Sequence, residues 1–282
     1  FERLRTKLFI PLENIAPMLF LTATCTRCIR YHFEKLIGVT ITHSHWPSVR
    51  EMTNRKVTLD VKYTTQPLHY VTIQLLHILK PSEDNGLPQK VIIYSNSQKS
   101  IIEFTEKVEL FLDSDSTLQH LDAVIIHGKM NKLEKGRYIN YFIHPRVEED
   151  MNIRLMCATS GVGNAGIDSS QVRCVIRTDF PPTQLDIIQE LGRTGRNHDA
   201  SFENYSYNIY ISIEQFIYVY ERIHDPREKI LDEKYRKEQV DDLMEVAKLL
   251  GSTSRCYFEE IETLLGNPAS DLSAVGRCNN CP

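Results

Sequence analysis

Four short apolar runs, rich in β-branched residues and each followed by turn-forming or polar sequence, constrain this chain most. They are Val91-Ile92-Ile93-Tyr94, Ala123-Val124-Ile125-Ile126, Ile153-Arg154-Leu155-Met156-Cys157 and Cys174-Val175-Ile176. Continuous apolar runs of this length read as strands buried on both faces, the pattern of a parallel sheet covered by helices on each side. Between the first two, Ile101, Phe104, Val108 and Leu112 fall on one stripe and predict a helix over residues 100–112. Strand and helix in alternation are the grammar of an α/β layer fold. Loops are expected at 81–86, 120–121 and 145–150.

The flanks read differently. Residues 1–60 hold one further strand candidate, at 18–22. A lone strand makes no sheet, so this segment is expected to be the tail of a domain whose body lies before Phe1. It also carries nine Lys/Arg against five Asp/Glu, a local basic excess. After residue 206 the pattern turns helical: Leu231, Tyr235, Leu243, Val246 and Leu250 share a helical face, with Gly251 as the stop. The charged stretch 225–242 is expected to be a solvated face. The expected organisation is a remnant over 1–60, a parallel-sheet lobe over 61–205 and a helical subdomain over 206–282.

Composition excludes several classes. A content of 41% hydrophobic and 25% charged residues is that of a globular protein rather than a disordered tail or a collagen-like rod. The longest apolar stretch, 17–23, is far short of the ~20 residues that span a bilayer, so no membrane partner is expected. Phe1-Glu2-Arg3-Leu4 lacks the basic-then-apolar layout of a signal peptide. With 33 Lys/Arg against 37 Asp/Glu the net charge is −4. Nucleic-acid contact would therefore have to come from a local patch. Seven cysteines are too few for a disulfide scaffold, which favours a reducing compartment and leaves thiols free to bind metal.

The chemistry concentrates in Gln189-Glu190-Leu191-Gly192-Arg193-Thr194-Gly195-Arg196. On a helix Gln189, Arg193 and Arg196 would point the same way. Two guanidiniums and an amide on one side suit a triphosphate, because the Arg fork pairs bidentately with phosphate oxygens. The alternative for such a pair is a solvated basic helix end. Some 20–30 residues earlier, Cys157-Ala158-Thr159-Ser160-Gly161-Val162-Gly163-Asn164-Ala165-Gly166-Ile167-Asp168 runs from a strand into a Gly-rich loop ending in an acid, as a phosphate- or ribose-approaching turn requires.

Taken together, these residues resemble the RecQ-like DNA helicases of superfamily 2. Leu21-Thr22-Ala23-Thr24 resembles their motif III, Val91 to Ser95 motif IV, and His127-Gly128 the histidine loop that follows. Residues 158–168 resemble motif V, and residues 189–196 resemble motif VI in its RecQ form, where DEAD-box RNA helicases usually begin with His-Arg. The resemblance implies a RecA-like parallel-sheet lobe, the second of two, followed by a small helical zinc-binding subdomain. It implies that Arg193 and Arg196 are arginine fingers on the γ-phosphate of ATP, with Gln189 aligning the cleft and Gly166 and Asp168 on the nucleotide side. Ser95, His127 and Thr159 would then lie along the tracked DNA strand, and Thr22 and Thr24 would couple nucleotide state to lobe movement. The implied cofactors are ATP and Mg²⁺. The implied partners are single-stranded and duplex DNA and the missing first lobe, and the implied location is the nucleus, in repair and recombination.

This sequence holds no Gly-x-x-x-x-Gly-Lys-Ser/Thr and no Asp-Glu-x-His, the elements that hold the phosphates and Mg²⁺. The chain alone is therefore expected to be inactive. Two alternatives stay open: a non-catalytic DNA-binding or scaffold module derived from a helicase, and another superfamily 2 motor such as an RNA helicase.

The resemblance also assigns Cys278-Asn279-Asn280-Cys281, a C-x-x-C knuckle lying 22 residues after Cys256, to the zinc subdomain. Structural zinc takes four ligands, and Cys256, Cys278 and Cys281 supply three. The fourth is expected beyond residue 282, or the site is degenerate with Val275 in its place; free cysteines in a helical cap are the alternative. Cys25-Thr26-Arg27-Cys28 has no partner pair and reads as small residues at a helix start. His43 and His45 read as polar surface, and Trp46 as a packing or stacking residue.

Overall fold

The computed structural model describes residues 5–12, 27–38, 40–41, 57–79, 89–144, 152–161, 167, 169–195, 205–225, 233–265 and 277–281. Its strands are β1 (Val57–Tyr63), β2 (Lys90–Ser95), β3 (Asp122–Ile126), β4 (Ile153–Thr159), β5 (Val172–Arg177), β6 (Tyr205–Ile211) and the two-residue β7 (Arg277–Cys278). They form one sheet in the order β3-β4-β2-β5-β6-β1-β7, and every pairing is parallel. Parallel neighbours need long crossovers. Those crossovers include the helices α2 (Pro67–Leu79), α3 (Gln98–Ser114), α4 (Lys132–Ile143) and α5 (Gln184–Leu191); α1 (Arg27–Ile37) precedes the sheet. After β6 come α6 (Ile213–His224), α7 (Glu233–Gly251) and α8 (Tyr257–Leu265).

The four apolar runs are β2 to β5, the inner strands and one edge. Their side chains alternate between two cores, as the two-residue period of a strand requires. Val91, Ile93, Leu155, Cys157, Cys174 and Ile176 pack under α2 and α3. Ile92, Tyr94, Met156, Ala158 and Val175 pack on the other face with Phe142 of α4, Ile187, Ile188 and Leu191 of α5, and Leu243, Val246 and Leu250 of α7. Burying each large apolar side chain contributes ~1.5–3 kcal/mol.

Helix α3 begins two residues earlier than the apolar stripe suggested, because the Ser97 side chain caps it by accepting from the Ser100 amide. Its inward face is Ile101, Thr105, Val108 and Leu112, not Phe104, which is only partly buried. Thr105 is tolerated inside because its hydroxyl donates to the Ile101 carbonyl at 2.7 Å. In α7 the buried stripe is Leu243, Val246 and Leu250, whereas Tyr235 is 53% exposed; it stands near the helix start, beyond the core it was expected to join.

The sheet crosses both expected domain boundaries. β1 starts at Val57 and β6 runs to Ile211, so residues on either side of 60 and of 205 belong to one sheet. β1 alternates, burying Val57, Leu59 and Val61 while Asp60 and Lys62 face solvent, and so lacks the continuous apolar run that marks the inner strands. Lys90 opens β2 fully buried. Its ammonium donates to the Ile143 carbonyl at the end of α4 (3.0 Å) and lies 5.4 Å above the Phe142 ring, a cation placed at a helix C-terminus. The strand candidate at 18–22 and the loops at 81–86 and 145–150 lie outside the described residues.

Candidate functional site

β2 and β5 are neighbours, yet α3 leaves β2 onto one face and α5 leaves β5 onto the other. This is a switch point of an open α/β sheet, where the carboxyl ends of the strands border a crevice. Ser95, His127 and Thr159 stand at or just after the carboxyl ends of β2, β3 and β4, so the structure brings these three to one end of the sheet. Ser95 is 1% exposed, and its hydroxyl donates to Asp179 Oδ2 at 2.8 Å. His127 is half-buried, with Nε2 3.3 Å from Gln98 Nε2 at the start of α3.

Beneath this end lies a buried ionic cluster that sequence reasoning missed. Arg177, the last residue of β5, is 0% exposed. Its guanidinium donates to Ser160 Oγ (2.6 Å), to the Asp179 carbonyl (3.2 Å), to Asn96 Oδ1 and to Glu190 Oε1, and pairs with Asp179 Oδ1 at 3.0 Å. Asp179 Oδ2 also accepts from the Asn96 amide at 2.6 Å, and Glu190 Oε2 accepts from the Tyr207 hydroxyl at 2.8 Å. Asn96 follows β2, Ser160 follows β4 and Glu190 lies near the end of α5, so one side chain ties three connections together. The available signal was a charged residue closing the apolar run Cys174-Val175-Ile176, which demands buried partners.

One guanidinium faces two buried carboxylates, Asp179 and Glu190. Burial pushes the Glu190 carboxyl up to about 7, with Asp186 adding to the rise and Arg177 and the Tyr207 hydroxyl opposing it. Burial likewise raises Asp179. The folded chain therefore binds an extra proton at Glu190 between the ordinary 4.5 and about 7. The stability this contributes is complete below the ordinary value and is lost as pH rises through about 7. Urea denaturation should show stability falling over that interval by a few kcal/mol at most, given about 1.4 kcal/mol per unit. Glu190→Gln should flatten the profile; an unchanged slope in this variant would remove the assignment.

The same end of α5 runs on into the arginine turn. The helix stops at Leu191, capped by Gly192, and Gly195 takes φ = 72°, a left-handed conformation that glycine adopts without strain. The helical register drawn through Gln189, Arg193 and Arg196 is thus broken after the first of them. Gln189 is half-buried on α5; Arg193 lies in the turn and donates from Nη1 to the Ile167 carbonyl at 2.8 Å. Thr194 is buried and donates to the carbonyls of Val172 and Arg173 at the start of β5. Arg193 is therefore held at the amino end of β5, across the sheet from Ser95, His127 and Thr159. Arg196, Gly166, Asp168, Thr22 and Thr24 lie outside the described residues.

A third feature is the cysteine cluster. Cys256 precedes α8, Cys278 ends β7 and Cys281 follows. Their sulfurs are 3.8 Å (256–278), 3.4 Å (278–281) and 3.5 Å (256–281) apart. Tetrahedral zinc with Zn–S bonds of ~2.3 Å places its thiolates about 3.8 Å from one another. The three thiols therefore fit such an ion. Among the described residues no other His, Cys, Asp or Glu joins them.

The sheet with its flanking helices has the RecA-like fold of a helicase C-terminal lobe. Residues 71–198 match the helicase conserved C-terminal domain. The chain is 26% identical over 255 residues to the ATP-dependent DNA helicase RecQ of Bacillus subtilis, covering 82% of this chain and 40% of the relative. It is 27% identical over 203 residues to ATP-dependent DNA helicase Q-like 4B of Arabidopsis thaliana, covering 71% and 16%. To the probable ATP-dependent RNA helicase DDX28 of Homo sapiens it is 30% identical over 126 residues, covering 44% and 21%. The chain spans less than half the length of each relative. Among the described residues no helix is long and apolar enough to cross a membrane.

Proposed function

We propose that this chain is the second motor lobe, with its cysteine subdomain, of an ATP-dependent 3′–5′ DNA helicase of the RecQ type. The observation that carries the reading is the reach of the likeness. The similarity to the two DNA helicases extends over 255 and 203 residues, well outside the matched segment 71–198, whereas that to the RNA helicase covers 126. The cysteine cluster supports it. In this reading Cys256, Cys278 and Cys281 hold Zn²⁺, which would cross-link the chain's end to the start of α8. Nuclear residence and work in repair or recombination rest on the resemblance of the motifs.

In this reading each end of the sheet has its own task. The carboxyl ends of β2, β3 and β4, with the Ser97-capped start of α3, face the tracked strand, whose phosphates are bound without regard to sequence. The turn bearing Arg193 faces ATP on the preceding lobe, where a phosphate loop and carboxylates would hold the triphosphate and Mg²⁺. Arg193 approaches from this side, Arg196 is the second finger, and Gln189 aligns the cleft. Glu190 stands three residues before Arg193 and is bonded to the Arg177 cluster, so the two ends are mechanically joined through α5. Closing of the two lobes around ATP is the moving step.

A motor on RNA is the second reading, favoured by the 30% identity to an RNA helicase over the shared domain. Fluorescence anisotropy of this chain with labelled single strands of DNA and RNA of one sequence separates them. DNA is expected to bind several-fold more tightly, with log affinity falling linearly in log salt at about −0.7 per phosphate contact. Tighter binding of RNA would overturn the DNA reading.

A further inference from the structure

The two residues between Cys278 and Cys281 are both asparagines, and each is spent on a different part of the fold. β7 pairs with the outer edge of β1 for two residues, Thr58 with Arg277 and Leu59 with Cys278, and the Asn279 amide donates to the Leu59 carbonyl at 3.3 Å. The ladder then continues through a side chain. Asn279 Oδ1 accepts from the Val61 amide at 3.2 Å, and Asn279 Nδ2 donates to the Val61 carbonyl at 3.0 Å. A carboxamide offers the same donor and acceptor as a peptide group, so it completes the edge of β1 where backbone pairing has stopped. Asn280 turns the other way. Its Nδ2 donates to the carbonyls of Ser252 (2.6 Å) and Arg255 (3.0 Å), in the segment that carries the chain from α7 to Cys256.

The third thiol is therefore not brought to the knuckle by sulfur chemistry alone. Asn280 fixes the segment that presents Cys256, and Asn279 fixes the knuckle against β1. Tyr63, the last residue of β1, and Tyr257, the residue after Cys256, both donate their hydroxyls to the Leu250 carbonyl at 3.1 Å. The sheet edge, the end of α7 and the thiol cluster thus form one connected unit.

We propose that Asn279 and Asn280 are positioning residues of the metal site, making metal binding at Cys256, Cys278 and Cys281 and closure of the β1 edge a single coupled event. The proposal rests on the zinc reading above. The coupling is reciprocal: an ion that needs the three thiols together favours the docked edge, and the docked edge favours the ion by the same factor. Groups that orient metal ligands without touching the metal usually govern affinity by 10–100-fold.

The test uses the full 282-residue chain and Zn²⁺ alone, titrated against a chromophoric chelator, alongside amide hydrogen exchange at Val61. The wild-type chain is expected to bind one equivalent, and zinc is expected to slow exchange at Val61. Asn279→Ala and Asn280→Ala should each weaken zinc about 10–100-fold, and Asn279→Ala should abolish the zinc-dependent protection at Val61. Exchange at Val175 and Ile209, in the inner strands, reports that the fold is intact. Variants that bind zinc like the wild type would overturn the asparagine role while leaving the metal reading in place. A wild-type chain that takes up less than about a third of an equivalent removes the metal reading itself, and the proposal with it. Lower melting temperature with unchanged zinc affinity would mark the asparagines as structural only and also overturn the proposal.

Discussion

Arg177→Met is expected to destabilise the chain at pH 7 by about 3–5 kcal/mol, the range for removing one partner of a buried ion pair. That is a large share of the 5–15 kcal/mol that holds a typical domain folded. The cost arises from what is left behind. Asp179 and Glu190 stay buried without their cation, and Asn96 and Ser160 lose the donor that joined the ends of β2 and β4. Two further measurements identify the mechanism. Lowering the pH to 5 should recover part of the loss, because a protonated carboxyl no longer carries an unpaired charge. Adding Glu190→Gln should make the double variant less damaged than the sum of the singles, since the two residues touch. A loss below about 1 kcal/mol in urea denaturation, or one independent of pH, would show that the cluster is not the tie the coordinates imply.

Arg196→Ala, placed in a chain that also carries the phosphate-binding lobe, should reduce nucleic-acid-stimulated ATP hydrolysis by about 10³–10⁵-fold, the contribution of an arginine finger. Affinity for the single strand should change little on the proposed reading, which puts the strand contacts at the carboxyl ends of β2, β3 and β4, whereas the neighbouring Arg193 is held at the amino end of β5. Steady-state hydrolysis with saturating single-stranded DNA, together with anisotropy on the same preparations, gives both numbers. Hydrolysis retained in the variant would end the finger assignment. Loss of strand affinity in parallel would show that the turn contacts nucleic acid.

β2, β4 and β5 were legible because they are buried on both faces and so must be largely apolar, and the edge strand β3 carries a similar run. β1 and β6 were not. β1 shows one face to solvent, and Tyr205-Ser206-Tyr207-Asn208-Ile209-Tyr210-Ile211 mixes polar residues into a strand whose Asn208 side chain is satisfied inside, against Ser206 and Cys174. The arginine pair and the cysteine trio stood out as candidates because residue type and spacing alone mark them, although the turn that carries Arg193 was read as helix. The Arg177 cluster was invisible for the opposite reason: apart from Asp179, its partners lie 13, 17 and 81 residues away in sequence and meet only once β2, β4, β5 and α5 are in place. The asparagines of the knuckle passed as filler between thiols, since nothing in a C-x-x-C pattern announces a contact with a strand 218 residues earlier.

The strand order also governs how the chain can be made. Among the described strands β1 is translated first, but both of its neighbours in the sheet, β6 and β7, come from the far end, with Val57 facing Tyr205 and Thr58 facing Arg277. At a synthesis rate of about 5–20 residues per second, β1 waits roughly 7–30 s for its first partner to be made. During that time it is an unpaired apolar strand on a nascent chain, open to pairing with another copy. Asp60 and Lys62 alternate with its apolar residues, and charges so placed discourage edge-to-edge pairing. Their replacement by Thr removes the Lys62 ammonium from over the Tyr70 ring, 4.0 Å away, and is expected to make the growing chain more prone to aggregate, read as the insoluble fraction in cell-free translation.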